Sequence, residues 1–298
     1  MLFRSSGGAS LTAVCVLRDM GAKSVTVISR SGDDNYENIY EKHGDAEIIV
    51  NTTPVGMYPN VGNSPVELSL FPELKAVLDV VYNPARTQLL LDAEKLGIPW
   101  CNGLLMLVAQ AKEAAEWFLG TSLPDSVIAP VLNALERNMH NIVLIGMPGC
   151  GKSTVGQLLE EQTGLKFLDA DEEIVSRAGK SIPEIFRDGG EDAFRALETE
   201  VLANLGMQSG LIIATGGGCV TRQNNYPLLH QNGSIFWLMR DLALLPKDGR
   251  PLSLANDLSA MYEIRKPIYE AFADHIISNQ GAVENTVLEI MKIWEGSV

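Results

Sequence analysis

Short, almost unbroken apolar runs alternate along this chain with stretches in which apolar positions recur every three or four residues. The runs are SVTVIS (24–29), EIIVNTT (47–53), AVLDVV (76–81), NIVLIG (141–146), LKFLDA (165–170), GLIIAT (210–215) and SIFWLM (234–239). The periodic stretches include TQLLLDAEKLG, MLVAQAKEAAEWFLG, STVGQLLEEQTG and EDAFRALETEVLANLG. Continuous apolar strands are buried on both faces, and their alternation with amphipathic helices predicts parallel sheets covered by helices. The expected fold class is α/β, with two three-layer parallel-sheet domains.

A length of 298 residues suits two such domains. The segment TSLPDSVIAPVLNALERNMHN offers turn residues, a short helix and a polar stretch before a fresh strand. It places the domains at 1–138 and 139–298. No apolar run approaches the ~18 residues that span a bilayer, and the N-terminus makes a poor signal peptide. A soluble cytoplasmic protein without a membrane partner is expected.

The net charge of −14 is shared by both halves, which argues against a nucleic-acid partner. An anionic substrate would need cations concentrated locally against that background. The four cysteines (Cys15, Cys101, Cys150, Cys219) and four histidines (His43, His140, His230, His275) are scattered. They suggest neither a zinc site nor a disulfide framework.

The strongest local signal is GMPGCGKST, which fits GxxxxGKS between the strand NIVLIG and the helix STVGQLLEEQTG. Gly146, Gly149 and Gly151 let the backbone curl so that successive N–H groups face phosphate oxygens. Lys152 reaches the β- and γ-phosphates, and Ser153 can ligate Mg²⁺. Residues Gly149, Cys150, Gly151, Lys152, Ser153 and Thr154 form the expected nucleotide loop. No NKxD sequence is present, so ATP is the expected donor. Cys150 reads either as a small residue filling a tight turn or as an activated thiol whose alkylation would inactivate the enzyme.

Downstream, FLDADEEI sets Asp169 and Asp171 two apart at a strand end. If the chain is extended there, both carboxylates project to the same side, one towards Mg²⁺ and one towards an attacking hydroxyl. The alternative is an acidic first turn of a helix, the reading preferred for Glu172 and Glu173. In EDAFRALETEVL, Glu198 lies one turn beyond Arg195 and either decorates the surface or holds the guanidinium inward towards a carboxylate. Gly216-Gly217-Gly218 at a strand end suits close approach of a ligand. Arg250 in LPKDGRPLS and Arg265 in IRKPIYEAF complete a set of arginines following the phosphate loop.

In this order the motifs resemble shikimate kinase over essentially all of 139–298: GMPGCGKST, DAD at 169–171, FRALE at 194–198, GGG at 216–218, GRPL at 249–252 and RKPIY at 265–269. The resemblance implies a P-loop fold of the nucleoside-monophosphate-kinase type. It implies that Asp171 contacts the shikimate hydroxyls and acts as base, with Lys152 and Arg250 also catalytic. Arg195 and Arg265 would bind the carboxylate, Gly216 to Gly218 the ring hydroxyls, and Asp169 and Ser153 would organise Mg²⁺. Arg250 would close with a lid, and the product would be shikimate 3-phosphate plus ADP. The family's further lid arginine, near adenine, has no counterpart in LALLPKDG, which offers only Lys247.

In the first half, GGAS (7–10), VTVISRS (25–31), VNTTPVGM (50–57), DVVYNPARTQLL (79–90) and NGLLMLVAQA (102–111) resemble the cofactor-binding domain of shikimate dehydrogenase. The implied fold is Rossmann-like and incomplete. The implied NADP contacts are Gly7, Gly8, Ala9, Arg30, Ser31, Thr53 and Met106, with Gln110 towards shikimate. Ser5 stands where the family's first glycine belongs, MLFR is too short for a full central strand, and the Lys–Asp catalytic domain is absent. No dehydrogenase activity is expected. Two alternatives stay open: a non-catalytic NADP-binding or interaction module in the first half, and a kinase for another polyol acid such as gluconate. Self-association through the truncated first domain is a further expectation.

Overall fold

A computed structural model of the chain describes residues 2–3, 8–245 and 258–296. It divides into two compact units, Met1–Leu132 and Asn133–Val298. The division falls within the helix Ile128–Met139. Among the described residues no helix is long and apolar enough to cross a membrane.

The first unit runs β1 (Leu2–Phe3), α1 (Gly8–Asp19), β2 (Val27–Ile28), α2 (Ile39–His43), β3 (Ile48–Asn51), β4 (Ala76–Asp79), α3 (Gln88–Lys95), β5 (Trp100–Cys101) and α4 (Leu104–Leu119). A fifth helix, α5 (Ile128–Met139), crosses the boundary. The parallel sheet has the order β2-β1-β3-β4-β5. The two residues of β1 do pair on both sides, with Val27–Ile28 and with Val50–Asn51. That short partner limits β2 to two residues where the sequence suggested six positions, 24–29. Ile28, Ile49, Val77, Leu89 and Leu90 are fully buried in this unit's core. Asp79, at the end of β4, is buried too and accepts hydrogen bonds from Thr87 Oγ1 (2.7 Å), Val81 N (3.0 Å) and Asn51 Nδ2 (3.0 Å). Burial pushes its carboxyl up to about 6 against the pull of those bonds.

The second unit continues with β6 (Asn141–Ile145), α6 (Lys152–Thr163), β7 (Lys166–Asp169), α7 (Ala170–Ala178), α8 (Ile182–Met207), β8 (Leu211–Ala214), α9 (Asn225–His230), β9 (Gly233–Met239), α10 (Leu258–Phe272), β10 (His275–Ser278) and α11 (Val283–Gly296). Its parallel sheet has the order β10-β9-β6-β8-β7. Every residue of central β6 is buried. Each of its apolar side chains contributes about 1.5–3 kcal/mol relative to exposure. Strand β10, absent from the sequence-based reading, is an edge strand with Ile277 buried and Ile276 exposed, so it lacks the continuous apolar signature.

Two local features aim the helices at the carboxyl edge of this sheet. Ser181 begins α8, where Glu184 accepts its backbone N–H at 2.9 Å. At Gly190 (φ 72°, ψ −173°) α8 breaks, a conformation open to glycine, and the second half restarts with Glu191. That half carries Phe194, Arg195 and Glu198 on its buried face.

Candidate active site

The loop between β6 and α6 is built on three glycines with positive φ: Gly146 (143°), Gly149 (84°) and Gly151 (100°). Their curl places Lys152 at the start of α6 with its ammonium buried, donating to Gly146 O (2.9 Å) and Met147 O (3.2 Å). Ser153 Oγ donates to Asp169 Oδ2 at 2.9 Å, joining the loop to the end of β7. Asp169 also caps α7, its Oδ1 accepting from Asp171 N at 3.0 Å. The DAD segment is therefore not one extended run, as the spacing suggested. The strand stops at Asp169 because its side chain captures a free N–H in the first turn of α7, that of Asp171. Both carboxylates still line the same cleft.

Arg195 and Glu198 form a buried pair, NH1 to Oε2 at 2.7 Å, and Glu191 adds a second acceptor at 3.2 Å. Burial opposes the guanidinium's charge, yet Glu198 and Glu191 hold its pKa above the ordinary value. Burial pushes the Glu198 carboxyl up by more than Arg195 draws it down. Glu198 Oε1 is buried with no hydrogen-bond donor among the described residues. On α10, Arg265 NH1 donates to Gly217 O at 3.1 Å, and Tyr269, one turn further on, donates to the same oxygen.

The three glycines after β8 serve space rather than backbone freedom. A methyl group on Gly216 would lie 2.8 Å from Glu198 Oε1 and 2.9 Å from Asp171 Oδ1. One on Gly217 would meet Pro148 at 2.6 Å, and one on Gly218 would run into the Arg195 guanidinium. A stacked pair, Phe186 and Phe194 (centroids 4.7 Å apart), supplies an apolar wall. The cleft so formed has a volume of about 540 Å³. Gly149, Gly151 to Thr154, Asp169, Asp171, Arg195, Gly216 to Gly218 and Arg265 all line it.

Cys150 does not line the cleft. It is 1% exposed, with its sulfur packed towards Gly146, so it fills the turn and is not presented for alkylation. Arg250 and Lys247 lie outside the described residues, as do Ser5 and Gly7. Phe186 and Tyr269 were missed by the sequence reading. Tyr269 follows Arg265 at helical spacing, which was the available signal.

In the first unit a separate cavity of about 1110 Å³ lies at the carboxyl edge of the sheet, bounded by Arg30, Thr52, Thr53, Val81 and Asn83. Arg30 and Thr53 both border it. Gly8, Ala9, Ser31 and Met106 are not among the residues that line it. Gly8 opens α1, Ser31 sits exposed beyond β2, and Met106 and Gln110 are exposed on α4.

A phosphate loop opening onto a pocket of paired arginines and carboxylates defines a phosphotransferase of the P-loop kinase type. The shikimate kinase family model matches residues 148–295. Shikimate kinase of Synechococcus sp. (strain RCC307) is 44% identical over 160 residues, covering 50% of this chain and 80% of its own length. That of Persephonella marina is 40% identical over 150 residues, covering 48% of this chain and 91% of its own. A solved structure, shikimate kinase from Acinetobacter baumannii in complex with shikimate, is 34% identical with a TM-score of 0.50, covering 55% of this chain and 98% of that one. The chain belongs to the shikimate kinase family. Shikimate dehydrogenase 1 from Peptoclostridium difficile, 35% identical with a TM-score of 0.42, covers 45% of this chain and 53% of its own.

Proposed function

We propose that the second unit transfers the γ-phosphoryl group of ATP to the 3-hydroxyl of shikimate, giving shikimate 3-phosphate and ADP. The observation that carries this reading is the convergence of two arginines and Asp171 beside the phosphate loop in one cleft. Shikimate offers one carboxylate, several hydroxyls and an apolar ring edge. Arg195, fixed by Glu198, and Arg265, fixed on Gly217 O, present cations to the carboxylate. Asp171 is placed to accept the proton of the attacking hydroxyl. Phe186 and Phe194 suit the ring better than an open-chain acid such as gluconate, and they help exclude water that would otherwise accept the phosphoryl group.

Lys152 exchanges loop carbonyls for phosphate oxygens when a nucleotide is bound. Ser153 and Asp169 form the hard oxygen set that suits Mg²⁺ completed by phosphates and water. The ion's contribution is charge neutralisation on the phosphate chain. Arg250 belongs to the same reading as a lid cation. Phosphorus–proton correlation spectra of the reaction product test the assignment. Coupling of the phosphate to the proton on carbon 3 is expected, and coupling elsewhere would overturn the regiochemistry.

A second reading concerns the first unit, which we infer to be a dehydrogenase-type module that binds NADP without acting on it. The cavity bordered by both Arg30 and Thr53 favours it. Calorimetric titration with NADP⁺ tests it. Heat that disappears in Arg30→Ala is expected, and absence of heat with the folded protein would remove the reading.

A further inference from the structure

The phosphate loop has a second cation beside it that neither the motif nor the acceptor pocket uses. Arg240 follows β9 directly, and β9 flanks β6 on the side opposite β8 and β7. A methyl group on Gly151 would stand 3.6 Å from Arg240 NH1 and 2.9 Å from Asn279 Nδ2. Arg240 Nε is buried with no acceptor among the described residues, and no carboxylate there pairs with the guanidinium. In a chain of net charge −14, an uncommitted guanidinium against a phosphate loop asks for an anion.

The surroundings are built rather than accidental. Asn279, 2% exposed, donates from Nδ2 to Cys150 O at 2.6 Å and accepts at Oδ1 from Thr286 Oγ1 at 2.8 Å. Its backbone N–H donates to Met239 O at 2.8 Å, the residue before Arg240. One asparagine, through its side chain and its backbone N–H, thus ties the loop, the end of β9 and α11 together beside Gly151 and the guanidinium. Sheet order supplies the direction. Asp171, Arg195 and Gly216 to Gly218 belong to the β8 and β7 side of β6, and Arg265 reaches Gly217 O from α10, so the γ-phosphate points that way. The rest of the nucleotide then extends towards β9 and β10, over Arg240.

We propose that Arg240 is a nucleotide-binding residue whose guanidinium holds the α-phosphate, at the nucleoside end of the donor. The inference rests on the reading of the cleft as an ATP site. Arg240 is assigned no part in the acceptor's binding.

The test is calorimetric titration of ADP, without acceptor, into wild type, Arg240→Met and Arg240→Lys of the full chain, with melting temperatures measured alongside. ADP affinity is expected to fall about tenfold or more in Arg240→Met and by an intermediate factor in Arg240→Lys, which keeps the charge and loses the fork. In kinetics the KM for ATP should rise by a similar factor, while kcat and the KM for shikimate stay within about twofold, a split that a merely structural residue would not give. Equal ADP affinity in folded Arg240→Met and wild type would overturn the proposal and leave the kinase reading standing. If Arg240→Met does not fold, wild-type ADP affinity in Arg240→Lys overturns it instead. A wild type that binds no ADP would overturn the ATP-site reading itself, and the proposal with it.

Discussion

Gly218 and the Arg195 guanidinium pack so closely that a methyl group on the glycine would lie 2.1 Å from NH2 and 2.5 Å from the central carbon. The backbone there is ordinary, with φ −104°, so glycine is required for space alone. Gly218→Ala must displace the guanidinium from Glu198 and leave a buried carboxylate poorly paired, a change worth about 3–5 kcal/mol when such a pair is broken outright. The KM for shikimate is expected to rise tenfold or more (an order-of-magnitude figure from that range) while ADP affinity stays within about twofold. Steady-state kinetics with calorimetry checks both numbers.

Asp171 and Arg265 should separate chemistry from binding. Asp171→Asn keeps the shape of the side chain and removes the base, so kcat should fall by roughly 10²–10⁴ while ADP still binds. Arg265→Ala removes one partner of the acceptor carboxylate and should act mainly on the KM for shikimate. Comparable losses of kcat and KM in both variants would contradict this division of roles.

The thiols divide by exposure. Cys15 and Cys101 are exposed, whereas Cys150 and Cys219 are buried. Burial also pushes the Cys219 thiol up to about 12, which suppresses its thiolate. Iodoacetamide on the native protein should therefore modify Cys15 and Cys101 and leave kinase activity intact. Peptide mass mapping alongside the activity assay checks this. Modification of Cys150 in the folded enzyme, with loss of activity, would contradict the packing described for the phosphate loop.

Asp79 gives the first unit a pH signature. Its carboxyl titrates near 6 when folded, against 3.8 for an ordinary aspartate. The folded chain thus holds the proton more tightly than the unfolded one. Stability contributed by protonated Asp79 is complete below pH 3.8 and is lost as pH rises through 6. The total is about 3 kcal/mol. Relative to Asp79→Asn, wild type should lose amide protection in β3 and β4 between those limits. Hydrogen exchange across the pH range measures it. A difference independent of pH would show that Asp79 does not titrate over that range and would contradict this account.

Much of the second unit was legible because its chemistry is local. A glycine-rich turn between a buried strand and a helix defines itself within one stretch of chain, and Gly146, Gly149 and Gly151 all have the positive φ that the spacing implied. The Arg195–Glu198 pair was legible for the same reason, being one helical turn apart. The roles of Gly217 and Asn279 were not, because their partners Pro148 and Cys150 lie far off in sequence. Strand β10 escaped notice because an edge strand alternates instead of running apolar. The geometry of Asp169 and Asp171 was misjudged because a capping carboxylate ends a strand without leaving any mark in hydrophobic pattern.

Which acceptor the cleft takes decides the reaction. A coupled assay of ADP release, with Mg²⁺ and ATP, offers the full chain shikimate, gluconate or no acceptor in turn. Release that depends on shikimate, with gluconate no better than the blank, is the predicted result. Release that is equal with and without shikimate, or greater with gluconate, would contradict it.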